Sequence, residues 1–353
     1  MNNQQKSQEN AATFCHEPPV SLSLSPRPTF YKKKNAVLIV MGSCGELGEA
    51  TNSRLKDDLQ CIGSKFVRFG NNEINVFPDE SVREKKVFIM GSGSNSGGSI
   101  NDNIMTMCGM IRSCQTASAK HITVICAYYP YCRSDKKDQG RAPIMAKLVA
   151  DLFRTSGANR LITVDLHAAQ IQGFFDGPFD NLYAIDYLIK QIQLDYDGKK
   201  FIVISPDAGG EKRAKAWAAK MQVPCTFLTK SRDHNAISKI DQHELVHQIN
   251  FKDETIILVD DIGDTLGTLC SAAKILKEKG AKEVIAVVTH GIFSGKAIEN
   301  LEQDNIDRMY TANTVPQCHN TAMSAKIKVV DLSELFANVI RCCVNGNSIS
   351  DLF

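Results

Sequence analysis

Two adjacent carboxylates, Asp260 and Asp261, carry the clearest chemistry in this chain. They sit within residues 255–268, TIILVDDIGDTLGT. The apolar run Ile256-Ile257-Leu258-Val259 before them reads as a buried strand that stops at the acids. Gly263, Asp264, Thr265, Leu266, Gly267 and Thr268 then form a small loop, and residues 271–279 show helical spacing through Ala272, Ala273, Ile275 and Leu276. A strand, an acidic tip, a Gly/Thr loop and a helix make an anion site. Free N–H groups at the helix mouth can hold a phosphate, the glycines allow close approach, and the Thr hydroxyls add donors. Two carboxylates beside a phosphate would repel it, so they need another task, such as gripping sugar hydroxyls or a magnesium ion. The alternative is an ordinary strand-to-helix turn with surface acids.

Other stretches pair reactive side chains with strand ends. Tyr129-Pro130-Tyr131-Cys132-Arg133-Ser134-Asp135-Lys136-Lys137-Asp138 follows an apolar strand. A guanidinium at such a tip can clamp a polyphosphate with two parallel hydrogen bonds; otherwise the run is a solvated charged loop. Asp165-Leu166-His167 ends another strand, where alternation would turn Asp165 and His167 toward one ion or phosphate. Ser205-Pro206-Asp207-Ala208-Gly209-Gly210 repeats the strand–loop–helix plan, with Lys212 and Arg213 just inside the helix. Lys230-Ser231-Arg232 lies in a polar stretch that reads as a mobile loop. In Phe69-Gly70-Asn71-Asn72-Glu73 an aromatic ring could stack on a purine.

The elements that must position these groups alternate. Strands are expected over residues 36–40, 64–69, 87–90, 121–128, 161–164, 201–205, 224–228, 284–289, 309–311 and 327–330. Helices are expected from residue 45 to about 59, and over 100–118, 143–155, 183–194, 211–221 and 333–343. Such alternation implies an α/β class of parallel sheets covered on both faces. The 353 residues leave room for two domains. Residues 1–35, rich in Asn, Gln, Ser and Pro, read as a disordered tail. Hydrophobic content of 43%, charged content of 23% and net charge +2 fit a globular protein and argue against nucleic-acid or membrane partners. No apolar run is long enough to span a bilayer. The 12 cysteines show no paired CxxC spacing, so reduced thiols and a cytoplasmic location are expected.

The loop Asp260–Thr268, the segment from Tyr129 through Arg141-Ala142-Pro143, and Asp165-Leu166-His167 with Gln170-Ile171-Gln172-Gly173-Phe174-Phe175-Asp176 together resemble the ribose-phosphate diphosphokinase (phosphoribosyl-pyrophosphate synthetase) family. The similarity runs from about Val37 to the C-terminus. It implies tandem phosphoribosyltransferase-like domains: residues 36–182 with the ATP-binding segments, 183–332 with the ribose 5-phosphate loop, and 333–353 as a C-terminal helix and tail. It implies ATP contacts from Phe69, Asn71, Glu73, Arg133, Ser134, Asp138 and His167, the first three reaching a neighbouring subunit's adenine. Ribose 5-phosphate falls to Asp207, Asp260, Asp261, Asp264, Thr265, Leu266, Gly267 and Thr268. Mg2+ falls to His167 and Asp207, with Asp165, Asp176 and Asp180 as weaker ligands. Lys230, Arg232 and His167 are the implied catalytic groups. Ser81, Arg83, Ser348 and Phe353 correspond to a phosphate/ADP regulatory site. A homo-oligomer, by resemblance a hexamer, is the implied assembly, and non-catalytic subunits are further partners.

The chain departs from the family pattern in places. Tyr129, Cys132 and Ser134 stand where Phe, Ala and Gln are usual, and Val344 and Asp351 where His and an aromatic are usual. The second reading is therefore a non-catalytic synthetase-associated regulatory subunit. A base-using phosphoribosyltransferase would share only the Asp260–Thr268 loop. On the enzyme reading, replacing Lys230 and Arg232 together with Ala abolishes turnover and leaves ribose 5-phosphate binding nearly intact. Turnover assays beside calorimetry check this; a double variant with normal turnover removes the pair from the chemistry.

Overall fold

The computed structural model describes residues 35–231, 242–245, 251–303 and 305–352. The tail expected over residues 1–35 lies outside them except for Asn35, as do Arg232 and Phe353. The first half supplies β1 (Ala36–Val40), α1 (Gly45–Leu55), β2 (Gln60–Ile62), β3 (Ser64–Arg68), β4 (Ile74–Pro78) and β5 (Lys86–Gly91). It continues with α2 (Ile100–Thr116), β6 (His121–Cys126), α3 (Met145–Ser156), β7 (Arg160–Val164) and β8 (Phe179–Leu182). The second half supplies α4 (Ile185–Asp195), β9 (Phe201–Ser205), α5 (Glu211–Met221), β10 (Cys225–Ser231), β11 (Gln242–Leu245), β12 (Thr255–Gly263) and α6 (Gly267–Glu278). It ends with β13 (Glu283–Gly291), α7 (Ala297–Glu302), β14 (Arg308–Ala312), α8 (Cys318–Met323), β15 (Ile327–Val330) and α9 (Ser333–Asn345).

The first sheet is parallel, in the order β2-β1-β5-β6-β7-β8. The second runs β11-β10-β9-β12-β13-β14-β15 and is parallel except for the β10–β11 edge. Both faces of each are apolar because strand side chains alternate. Leu38, Phe88 and Met90 face inward to a core shared with Val203, Ile257, Ile285 and Tyr310 of the second sheet. Val37, Ile39, Val87 and Ile89 face outward to α2 and α3, while Ile256 and Leu258 face α6 and α7. The core between the sheets is filled from α1, α4, α5 and α9. Thus α9 returns from the end of the chain to pack on α1 at its beginning, with Arg341 Nε 2.7 Å from Asp58 Oδ2.

The structure corrects several expectations. β12 does not stop at the acids but runs through them to Gly263, because β13 stays paired alongside as far as Gly291. α6 starts at Gly267, earlier than the apolar spacing suggested, with Leu266 (φ 63°) as its N-cap. The strand at residues 64–69 is one arm of a hairpin with β4, separate from the main sheets. Both β4 and β8 lack a long apolar run, which is why periodicity overlooked them. α2 is well marked in the sequence: Ser99 accepts from the Asp102 N–H at 3.0 Å, and the Asp102 carboxylate accepts from the Ser99 N–H at 3.2 Å.

Phe336 of α9 is completely buried in the core between the sheets. Phe336→Ala is expected to cost about 3–5 kcal/mol, read as a lower denaturation midpoint. A change below about 1 kcal/mol would show that α9 does not clamp the two sheets together.

Candidate active site

The acids occupy the one place where β12 outruns a neighbour. On one side β9 pairs only as far as Leu258↔Ile204, whereas on the other β13 continues beyond Asp260↔Val288. The strand end is thus open toward the loop after β9 and the start of α5, the usual ligand position at the carboxyl edge of a parallel sheet. A cavity of about 430 Å³ lies there. It is lined by Arg133, His167, Asp207, Arg213, Asp260, Asp261, Asp264, Thr265, Leu266, Gly267 and Thr268, with neighbouring glycines and apolar residues. The volume suits a small polar ligand held on several sides.

Each acid has partners. Asp261 is 3% exposed; its Oδ2 lies 2.7 Å from His167 Nδ1 and its Oδ1 3.3 Å from Arg213 Nη1. Asp260 Oδ1 accepts from Arg213 Nη1 at 3.1 Å and from the Asp261 N–H at 2.9 Å. Burial alone would raise the Asp261 pKa, but the hydrogen bond from His167 and the Arg213 charge outweigh it and hold the group well below the usual carboxylate range. The same hydrogen bond raises the His167 pKa against the opposing effect of burial. Asp260 goes the other way, pushed up to about 8 by burial and by the neighbouring Asp261 charge.

The loop beyond turns tightly from β12 into α6. Leu266 takes the left-handed conformation and is 3% exposed, which turns the chain directly into α6. A Cβ on Gly267 would meet only Thr265 Oγ1, at 3.9 Å, so a ligand can approach the backbone. The first N–H groups of α6 have no partner within the helix. Asp264 accepts from Arg133 Nη2 at 2.6 Å and from Ser294 Oγ. These two donors outweigh burial and lower its pKa. Asn300 Nδ2 pins the Thr265 carbonyl at 2.9 Å. Across the cavity, Asp207 caps the turn Ala208–Gly210 by accepting from the Gly210 N–H at 3.1 Å.

Not every expected residue joins this cavity. Asp165 has φ 44°, which breaks the alternation that would have aligned it with His167. Its half-buried carboxylate instead accepts from the Ala184 N–H at 3.1 Å and Thr289 Oγ1 at 2.6 Å. Asp180 pairs with Arg160 at 2.5 Å, and Asp176, with 94% of its side chain exposed, faces Arg154 at 3.8 Å. Ser134 Oγ accepts from the Met145 N–H at 3.3 Å, at the start of α3, and Asp138 makes an exposed pair with Lys136. Phe69, Asn71 and Glu73 form the exposed β3–β4 turn. Ser81 is exposed, Arg83 donates to Ser118 Oγ at 3.4 Å, and Ser348 accepts from the Ser350 N–H at 3.1 Å. Lys230 lies in β10, in register with His243.

Sequence reasoning missed two site residues. Arg213 stands inside its helix with no spacing that ties it to acids some fifty positions later. Ser294 lies on the loop after β13, which carries no motif. Among the described residues, no three His, Cys, Asp or Glu side chains gather tightly enough to hold a metal unaided.

The raised Asp260 pKa has a defined consequence for stability. Between 3.8 and about 8 the folded chain keeps a proton that the unfolded chain releases, so stability falls as pH rises through that window. Asp260→Asn removes the effect. The variant is expected to gain more in melting temperature over wild type at pH 8 than at pH 5; an equal difference at both would refute the shift.

Residues 36–157 match the N-terminal domain of ribose phosphate pyrophosphokinase, and residues 244–353 a phosphoribosyl synthetase-associated domain. The chain is 42% identical to ribose-phosphate pyrophosphokinase 2 of Schizosaccharomyces pombe over 90% of its own length and 98% of that protein. It is 43% identical to ribose-phosphate pyrophosphokinase 3 of Saccharomyces cerevisiae, over 87% and 93% respectively. The crystal structure of phosphoribosylpyrophosphate synthetase from Mycobacterium smegmatis superposes with a TM-score of 0.81 at 36% identity, covering 89% of this chain and all of that one. With such coverage of both sequence and fold, the chain belongs to the ribose-phosphate pyrophosphokinase family.

Proposed function

We infer that this chain transfers the diphosphoryl group of ATP to the anomeric hydroxyl of ribose 5-phosphate, giving 5-phosphoribosyl 1-pyrophosphate and AMP. One observation carries the mechanism: Arg133, from the ATP-side segment, reaches Asp264 of the sugar-phosphate loop at 2.6 Å within a single cavity. Two substrates held on those two sides meet at their reacting ends. The loop Asp264–Thr268 holds the 5′-phosphate on the first N–H groups of α6, while Asp260 and Asp261 accept from the 2′- and 3′-hydroxyls. The anomeric oxygen is thereby directed at the β-phosphorus. A bond forms between them as the bond from that phosphorus to the AMP oxygen breaks, and positioning supplies much of the rate.

ATP-dependent transfer of this kind calls for a divalent metal, and Mg2+ is the ion proposed here. His167 and Asp207, which line the cavity, would hold it with water and phosphate oxygens completing the shell. When bound, it neutralises phosphate charge during transfer. Lys230 and Arg232 are assigned to the departing AMP on resemblance alone.

The exposed hairpin supports a homo-oligomer: Phe66, Val67, Phe69 and Phe77 are each more than a third exposed, an apolar surface that a second copy would cover. Among the described residues the cysteines are free thiols, and no helix is long and apolar enough to cross a membrane. The thiols support a cytoplasmic site of action. Retention of Arg133, His167, Asp207 and the acidic loop in one cavity favours the enzyme over the non-catalytic subunit.

Purified protein given ATP, Mg2+ and ribose 5-phosphate is expected to release AMP and 5-phosphoribosyl 1-pyrophosphate in equal amounts, with no AMP when the sugar is omitted. Failure to form AMP with or without inorganic phosphate would favour the non-catalytic reading.

A further inference from the structure

We propose that Arg213 is a positioning residue for ribose 5-phosphate, holding Asp260 and Asp261 side by side as paired acceptors for the sugar's two neighbouring hydroxyls. This rests on the reading of the acidic pair as the ribose grip, and adds what makes that grip work.

The geometry is specific. Successive side chains of a strand point to opposite faces, so two adjacent acids would ordinarily diverge. Here one oxygen of each converges on a single nitrogen, Arg213 Nη1, at 3.1 Å from Asp260 Oδ1 and 3.3 Å from Asp261 Oδ1. Among the described residues no other Lys or Arg pairs with either acid; His167 pairs only with Asp261. The arginine is held in place by its element, lying in the first turn of α5 immediately after the turn at Asp207. About a quarter of its side chain is exposed, so solvent screens this contact less than a surface pair.

The bridge leaves both outer oxygens for other work. Asp261 Oδ2 meets His167, and Arg213 engages Asp260 through Oδ1. A single hydroxyl needs one acceptor, whereas two hydroxyls on adjacent carbons need two acceptors in fixed relation. A bridging cation supplies that relation and cancels part of the negative charge that would oppose the incoming phosphate. Arg213 acts through the acids, and its removal should affect the diol more than any other part of the substrate.

The test compares two sugars. Binding of ribose 5-phosphate and of 2-deoxyribose 5-phosphate, which lacks one of the two hydroxyls, is measured calorimetrically on the full chain. Wild type is compared with Arg213→Gln, Arg213→Lys and Asp260→Asn. Arg213→Gln is expected to weaken ribose 5-phosphate by about 10- to 100-fold, the effect of losing a charged hydrogen-bonding partner. The deoxy sugar should lose less, so the preference for ribose shrinks, and Arg213→Lys should recover part of it. In turnover, the loss should appear in the KM for ribose 5-phosphate more than in the KM for ATP. Equal losses for both sugars, or none, would overturn the role of Arg213. If Arg213→Gln does not fold, Arg213→Lys decides: unchanged affinity and unchanged preference would overturn it. Failure of wild type to bind ribose 5-phosphate, or undiminished binding by Asp260→Asn, would instead defeat the reading of the acidic pair itself.

Discussion

Two carboxylates next to each other in a buried cleft are an electrostatic liability, and the architecture of this protein turns on how that liability is contained. Repulsion between them and loss of hydration both favour taking up a proton. Two elements from other parts of the chain oppose this: α5 brings Arg213 and the segment after β7 brings His167 to the acids of β12. The resulting charges are unequal: Asp261, with two partners, is held ionised, and Asp260 is left with the raised pKa. The acidic pair thus has part of its negative charge neutralised by its own neighbours.

That arrangement requires the two sheets to be held in register with each other, since His167 follows a strand of the first and the acids lie within the last half of a strand of the second. The shared core supplies the bulk of the attachment, with α9 returning to α1 across it. A buried polar junction adds direction. Asp165 accepts from Thr289, and His290 Nε2 lies 3.1 Å from the Val164 carbonyl while its Nδ1 lies 2.8 Å from Thr314 Oγ1. Burial lowers the His290 pKa, and both nitrogens of its ring are engaged between the sheets. Asp165, expected at a metal, has this joining role instead.

Much of the fold was legible because parallel strands buried on both faces are nearly continuous apolar runs, easily told from the helices between them. Residues 36–40, 161–164 and 201–205 show this plainly. The failures share a cause. β4 and β8, each without a long apolar run, owe their existence to pairing with β3 and β7 rather than to a local pattern. The extension of β12 past its acids has the same origin, in a neighbour that stays alongside it.

The loop before α6 was likewise readable, because its glycines and the following helix follow from local backbone geometry. Residue order alone determined that a tight Gly/Thr turn would lead into α6, that two acids would lie next to it, and that strands and helices would alternate. Tertiary structure decided which charges meet. Arg213 reaching Asp260, His167 reaching Asp261 and Arg133 reaching Asp264 span 47, 94 and 131 positions. Coulombic and hydrogen-bonding partners depend on distance in space, on which spacing along the chain is silent once strands from separate sheets converge.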